Sequence, residues 1–265
     1  MIVSVSRRTD IPAFHADWFF ERLGEGHALS TNPMNAKQVR HVELSPEAVD
    51  GFVFWTKNPE PMLSRLDRLA PYPFYFQCTI TGHGNDLEPF VPGKDALVPP
   101  AFLMLADAIG PERFIWRYDP VCISPVYTVE YHAERFDTMA RALSGRVLRC
   151  TISFLDIYAK TSKQRLAERG VRPPDEAEAL ALAASFAPSA HEAGMHVAAC
   201  AEEMNLAEFG IGRARCIDAE LLMALSGRRI SRAKDPAQRP ACGCARSVDI
   251  GTYGTCGHGC VYCYA

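Results

Sequence analysis

Ile2-Val3-Ser4-Val5-Ser6-Arg7-Arg8-Thr9-Asp10-Ile11-Pro12 contains the whole building unit of this chain. The short apolar run Ile2–Ser6 has the length and β-branched content of one buried strand. A cluster of charge follows at once. Pro12 then stands where a helix can start, because the N–H it lacks has no partner in a first turn. The same succession of strand, polar turn and helix recurs along the sequence. Apolar strand-like runs return at Phe52–Trp55, Phe74–Ile80, Arg113–Trp116, Val147–Phe154 and His196–Cys200.

Helical patterns fill the intervals. Phe14, Trp18, Phe19 and Leu23 share a face after Pro12, with Gly24 as the expected stop. Pro61–Leu69 groups Met62, Leu66 and Leu69, and Pro100–Ile109 runs to Gly110-Pro111. Val129–Leu143 carries Phe136, Met139 and Leu143 and meets Gly145 as a C-terminal cap. Asp175–Ala193 is rich in Ala and Leu, with Pro188 expected to kink or split it. Asp218 is placed to cap a helix over Ala219–Leu225. Val39–Leu44 alternates with period two and fits a short hairpin. Strand alternating with helix predicts a parallel α/β architecture.

Polar residues follow nearly every strand. They are Ser6-Arg7-Arg8-Thr9-Asp10, Thr56-Lys57-Asn58, Thr79-Ile80-Thr81-Gly82-His83, Arg117-Tyr118-Asp119, Asp156 and Glu202-Glu203. In barrel folds of this class the ligand site is assembled from the loops at the carboxyl ends of the strands. Polar residues also open ordinary loops, but the charge density of the first and fourth clusters points to an active face.

The 265 residues are 48% hydrophobic and 22% charged, the make-up of an ordinary globular protein. A net charge of -3 supports no extended nucleic-acid footprint, although a local basic patch leaves a nucleic-acid partner open. No segment approaches membrane-spanning length. Ile2–Val5 is too short for a signal peptide, and Thr9-Asp10-Ile11-Pro12 after the arginine pair does not fit a twin-arginine leader. The expectation is a cytoplasmic protein without a membrane partner.

Ten cysteines in such a compartment are not a disulfide framework. Cys78, Cys122 and Cys150 lie in or beside apolar runs and read as small buried hydrophobes. Cys256, Cys260 and Cys263 form a C-x3-C-x2-C frame, with Gly257 and Gly259 letting the backbone curl so that three sulfurs converge. Three thiols can hold three corners of an iron–sulfur cube and leave the fourth iron open. An open position is what separates a reactive metal site from a closed structural one. A zinc knuckle that borrows Cys242 or Cys244 is the competing reading. Cys200, Cys216, Cys242 and Cys244 remain, enough for an auxiliary [4Fe–4S] cluster or a zinc ion, since four thiolates suit either. Two core cysteines plus a loose pair is the alternative. Ser231–Pro240 reads as a polar connection, dividing the chain into a domain at 1–230 and a cysteine-rich segment at 231–265 that is too small to fold without metal.

The phrases SRRTDIPAFH, VFWTKNPEPML, RFIWRYDP, CIDAELL and CGCARSVDIGTYGTCGHGCVYCYA resemble a bacterial family catalogued as domain of unknown function 1848, along essentially the whole chain. That family lends no established reaction, and its members usually run somewhat further past the cysteine loop. The loop also resembles that of the radical S-adenosylmethionine (SAM) enzymes. Read from the tail and wrapped to the start, the order of cysteine loop, SRRTDIP, WTKN, TIT and WRYDP is similar to barrels of the spore-photoproduct-lyase type. This resemblance implies a partial or closed (β/α) TIM-like barrel, circularly permuted, with Ser247–Tyr253 as a strand lying beside Ile2–Ser6 and feeding the loop.

By the same resemblance, Cys256, Cys260 and Cys263 would bind a [4Fe–4S] cluster whose open iron chelates SAM. Reductive cleavage to a 5′-deoxyadenosyl radical would follow, with the electron supplied by a donor such as a flavodoxin or ferredoxin. Tyr262 sits where family members pack an aromatic residue near the adenine. Arg7, Asp10, Lys57, Arg117 and Asp119 are the candidates for catalysis, and Arg8, Thr56, Asn58 and Thr79 join Tyr262 as candidates for cofactor contact. Arginine forks suit carboxylate and phosphate groups, so the cations could hold the carboxylate of SAM or an anionic substrate. Ion pairs that tie loops together are the alternative. Thr81 and Ser153 are weaker polar candidates. His83 fits a proton donor or a solvated loop residue, and His258 fits a modulator of the cluster or a surface residue. Two other functions stay open: an iron–sulfur electron carrier or redox sensor without SAM, and a zinc-stabilised interaction module.

Overall fold

The computed structural model describes residues 1–264. In chain order the elements are β1 (Ile2–Val5), α1 (Ile11–Phe14), α2 (Ala16–Glu25), β2 (His27–Asn32), β3 (Asn35–Glu43), β4 (Gly51–Thr56), β5 (Phe74–Thr79), α3 (Pro100–Ile109), β6 (Phe114–Val121), α4 (Val129–Leu143), β7 (Arg149–Phe154), α5 (Lys163–Ala167), α6 (Glu176–Glu192), β8 (His196–Ala199), β9 (Gly212–Arg213), α7 (Ala219–Ser226) and β10 (Ser247–Asp249). Eight of the strands form one sheet in the order β10-β1-β4-β5-β6-β7-β8-β9, and every pairing in it is parallel. β2 and β3 make the separate antiparallel hairpin expected around Val39–Leu44. The α/β class and the six expected strands are therefore present. Among the described residues, hydrogen bonding stops at β10 on one edge and at β9 on the other.

The strands are apolar on both faces because each face is covered by different chain. Val3, Val5, Phe52, Phe54, Phe74, Phe76, Phe114, Trp116, Cys150 and Ile152 point to the outer face and join the large core with α2, α3, α4 and α6. Aromatic contacts lace that core, with Phe54 stacked on Phe76 at 4.5 Å and Phe136 on Phe186 at 4.2 Å between α4 and α6. The alternate residues Ile2, Val53, Tyr75 and Ile115 face inward and pack against α7 and the cysteine-bearing tail. Further along the same inward rows the residues turn polar: Gln77 and Thr79 on β5, Arg117 and Asp119 on β6, Ser153 on β7. The inner face is thus dry at its amino ends and polar at its carboxyl ends. Cys78, Cys122 and Cys150 are buried, as expected of small hydrophobes.

Local details depart from expectation in four places. Gly26, in the left-handed region at φ +77°, ends α2, while Gly24 stays helical. His15 breaks the first helix into α1 and α2. The stretch Glu60–Leu69 is wound as a 3-10 helix, with Arg65 out of helical geometry. Pro188 lies inside α6 without splitting it, and the helix runs on to Glu192.

The tail is joined to the start of the chain as expected. Ser247, Val248 and Asp249 pair with Ile2, Val3 and Ser4. The buried Asp249 carboxylate accepts hydrogen bonds from the Ser4 hydroxyl (2.5 Å), the Ser6 hydroxyl (2.6 Å) and the backbone N–H groups of Arg7 (2.8 Å) and Gly251 (2.9 Å). Gly251 has no side chain because a Cβ there would stand 2.0 Å from Ser6 Oγ. Asp249→Ala would strand several buried donors, so it is expected to lower stability by about 3 kcal/mol. Urea unfolding reads that loss, and limited proteolysis reads the accompanying cleavage within residues 231–246. A variant as stable and as protease-resistant as the parent would contradict this role.

Candidate functional site

At the carboxyl ends of the strands lies a cavity of about 310 Å³, and the seven cysteines other than Cys78, Cys122 and Cys150 line it: Cys200, Cys216, Cys242, Cys244, Cys256, Cys260 and Cys263. Arg7, Asp10, Thr56, Lys57, Thr79, Arg117, Asp119, His258 and Tyr262 share its wall. A neighbouring cavity of about 290 Å³ shares Lys57, Arg117, Asp119 and Tyr262 and adds Ser153. Two expected site residues stand apart. Arg8 reaches the backbone carbonyls of Thr31 (3.2 Å) and Gly251 (3.3 Å) and lies over the Tyr253 ring, pinning the hairpin and tail. The Asn58 side chain accepts from Glu60 N–H at 3.2 Å and shapes the turn after β4.

The cysteine loop is held from several sides. Gly259 adopts φ +65° and packs against Phe90, where a Cβ would approach to 2.9 Å. Gly257 owes its size to Phe14, whose ring would meet a Cβ at 2.8 Å. Phe90 N–H donates to the His258 carbonyl (3.2 Å), Val261 N–H to Leu87 (2.9 Å) and the Arg165 guanidinium to Gly259 (3.0 Å). Asp10 ties three loops together. It caps α1 by accepting from Ala13 N–H (3.0 Å), accepts from Lys57 N–H (2.7 Å), and meets His258 Nε2 at 2.8 Å. His258 is buried, not a surface residue. Burial pushes the Cys260 thiol up to about 12, with Lys57 opposing the rise, and it also raises Cys256.

Beneath the loop is a charged cluster that sequence reasoning missed. Glu88 is fully buried. Its carboxylate accepts from Lys57 Nζ (2.8 Å), Thr81 Oγ1 (2.8 Å) and the Tyr262 hydroxyl, and pairs with Lys94. Burial would raise this carboxyl, but Lys57, His83 and Lys94 outweigh it and hold the group well below the usual range. Lys57 Nζ also donates to the Tyr262 hydroxyl at 3.1 Å, so the ring of Tyr262 is fixed against the cavity. Nothing in the irregular 82–99 stretch shows a periodicity that would mark Glu88 or Lys94. His83 is buried rather than solvated, with Nε2 3.3 Å from Cys122 Sγ and Nδ1 3.8 Å from Glu88. Burial lowers its pKa.

Each expected cation is met by a carboxylate: Arg7 by Asp235 (4.0 Å), Arg8 by Asp249 (3.9 Å), Lys57 by Glu88 and Arg117 by Asp119. The ion-pair reading describes these contacts. The Arg117 fork is spread over Asp119, Gln77 Oε1 (3.2 Å) and Cys216 Sγ (3.0 Å). Cys216 is the centre of the second cysteine set, with Cys200 Sγ 3.2 Å from its own sulfur. Hydrogen bonds from the Cys200 and Cys244 thiols hold Cys216 well below its usual range against its burial, and Arg117 adds to the effect. Cys242 is in turn drawn down to about 6 by its hydrogen bond with Cys244. Among the described residues, no three His, Cys, Asp or Glu side chains stand in a preformed coordination shell. In the second set the Cys200 and Cys216 sulfurs meet each other instead.

An all-parallel α/β sheet with a cysteine-lined cavity at the carboxyl ends of its strands is the class of protein these features define. The chain belongs to the family described as "Domain of unknown function (DUF1848)", whose profile matches residues 2–265. No curated protein and no solved structure matches it significantly. Among the described residues no helix is long and apolar enough to cross a membrane.

Behind the site, His132 carries a pH dependence with a definite sign. Its Nδ1 lies 2.7 Å from the Tyr118 hydroxyl and its Nε2 2.8 Å from the Cys122 carbonyl, so the neutral ring accepts from one and donates to the other. Burial, with His83 nearby, lowers its pKa from 6.5 to about 4. The unfolded chain therefore binds more protons between these values, and stability falls as pH drops through that window. The loss from this residue should reach about 3 kcal/mol near pH 4. Urea melts across that range should show a shallower slope for His132→Gln than for the parent protein, and identical slopes would contradict the assignment.

Proposed function

We propose that this protein is an enzyme of radical-SAM type, built as a partial (β/α) barrel whose cysteine loop has moved to the end of the chain. The position of that loop carries the reading: Cys256, Cys260 and Cys263 leave β10 beside β1 and line the cavity at the carboxyl ends of the parallel strands. Counted from β10, the sheet order β10-β1-β4-β5-β6-β7-β8-β9 places every strand next to its successor in wrapped chain order. A permuted barrel of consecutive strands has that order.

The donor set fits the group implied. Three cysteines in one tight loop, with no fourth inside it, are suited to three irons of a [4Fe–4S] cluster and leave one iron for SAM. When bound and reduced, that pair supplies a carbon-centred oxidant able to abstract hydrogen, with a flavodoxin- or ferredoxin-type protein as electron donor. The chain's own residues prepare the space. Asp10 fixes His258 within the loop, and Glu88 fixes both Lys57 and the Tyr262 ring that walls the cavity. Buried Trp116, Tyr118 and Phe136 close the outer side of the sheet to water. Arg7 over the Trp55 ring and Arg239 over Tyr158 line the cavity, and a small anionic substrate would bind them by exchanging with their carboxylate partners Asp235 and Asp156.

An electron carrier would need the same loop but no cavity beside it. A space of about 310 Å³ next to the cysteines has the size of a small-molecule site and favours the enzyme. After anaerobic reconstitution with iron and sulfide, the parent protein should release methionine from SAM under dithionite. Serine at Cys256, Cys260 or Cys263 should reduce that release to background. Full activity in any of the three variants would contradict the assignment.

A further inference from the structure

The remaining four cysteines come from three separate parts of the chain. Cys200 follows β8, Cys216 follows β9, and Cys242 and Cys244 precede β10. The fold brings their sulfurs into one group on the inner face, where Cys216, Cys242 and Cys244 are buried. Cys200 Sγ and Cys216 Sγ are 3.2 Å apart, and Cys242 and Cys244 line the same cavity beside them. We propose that Cys200, Cys216, Cys242 and Cys244 form a closed four-thiolate site for a single divalent metal ion of the zinc type, distinct from the cluster on the terminal loop.

Three features of the site support one ion rather than a second cube. A tetrahedral shell with metal–sulfur bonds of about 2.3 Å sets its sulfurs about 3.8 Å apart, so the Cys200 and Cys216 sulfurs, 3.2 Å apart, need spread only slightly to accept an ion. A cube places each cysteine on a different iron and would drive the same four sulfurs much further apart. The outer donors also suit thiolates. Ile217 N–H points at Cys244 Sγ (3.3 Å) and Arg117 Nη1 at Cys216 Sγ (3.0 Å), the N–H···S contacts that orient ligands and offset their negative charge. Finally, the set is complete. Four cysteines satisfy a structural ion with no position left over, whereas the terminal loop supplies three.

Such a site has work to do in this fold. From Gly227 to Arg246 the chain forms no helix or strand, and most of it is exposed. Binding an ion would fasten this segment to the ends of β8 and β9 at the entry to β10, and so steady the loop that follows. The inference rests on the sulfur geometry and not on the SAM reading, so the two can fail separately.

The test uses the full chain carrying Cys256→Ser, Cys260→Ser and Cys263→Ser, purified anaerobically and analysed for metals and acid-labile sulfide. The expected result is about one zinc, or one iron without sulfide, per chain. Cobalt(II) added to the stripped protein should give the absorption of a tetrahedral thiolate site, and adding Cys216→Ser should remove both signals. Cys200→Ser, at the half-buried ligand, is the milder second variant and should also lose the ion while remaining folded by circular dichroism. In the parent protein the same single ion should accompany whatever iron the terminal loop binds. Folded triple variant without metal, four irons with four sulfides in that variant, or a Cys200–Cys216 disulfide found by mass spectrometry would each overturn the proposal.

Discussion

The carboxylate of Asp249 decides where the end of this chain lies. It is buried at the seam between β10 and β1 and satisfies two serine hydroxyls and two backbone N–H groups at once. A short strand of three residues has little pairing energy of its own. The convergence of buried donors on one charge is what makes that pairing specific, because any other register would strand them without partners. Once β10 is seated, the cysteine loop that follows can only emerge at the carboxyl end of the sheet. There Asp10 and the Phe90 backbone receive it.

The second constraint is the gradient along the inner face. Each strand alternates strictly, so one row of side chains builds the helix-covered core and the other faces α7 and the tail. The inward rows begin with Ile2, Val53, Tyr75 and Ile115 and end with Ser6, Lys57, Thr79 and Asp119. Dry packing at one end thereby fixes the polar groups at the other. Charges at the polar end are paired rather than loose, and Glu88 is the clearest case: a carboxylate with no access to water, held by two lysines. Groups committed in this way keep the cavity shaped.

Much of the fold was legible in the sequence because its signals are local. Apolar runs that stop at charged clusters marked six strands to within a few residues, and the wrapped order of motifs anticipated the pairing of Ser247–Asp249 with the first strand. The faces of those strands were harder to read. In Phe52–Trp55 both faces are apolar, so alternation disappears from the pattern although it is strict in space. β2, β9 and α5 are too short or too polar to show a period. The cysteines were legible as two sets by spacing, and the structure gathers both at one cavity. Glu88, Lys94 and the burial of His83 and His258 were not legible, since each depends on partners from distant loops. The same holds for Arg8 and Asn58, whose type and position suited a site but whose contacts lie in the hairpin, the tail and a turn.

Radical-SAM chemistry requires that the terminal cysteines hold a cluster with an open iron. Electron paramagnetic resonance of the reconstituted, dithionite-reduced protein, recorded with and without SAM, addresses that directly. A reduced-cluster signal whose g-values shift when SAM is added is the predicted result. A cluster signal indifferent to SAM, or a protein that holds no iron at the terminal loop, would contradict it.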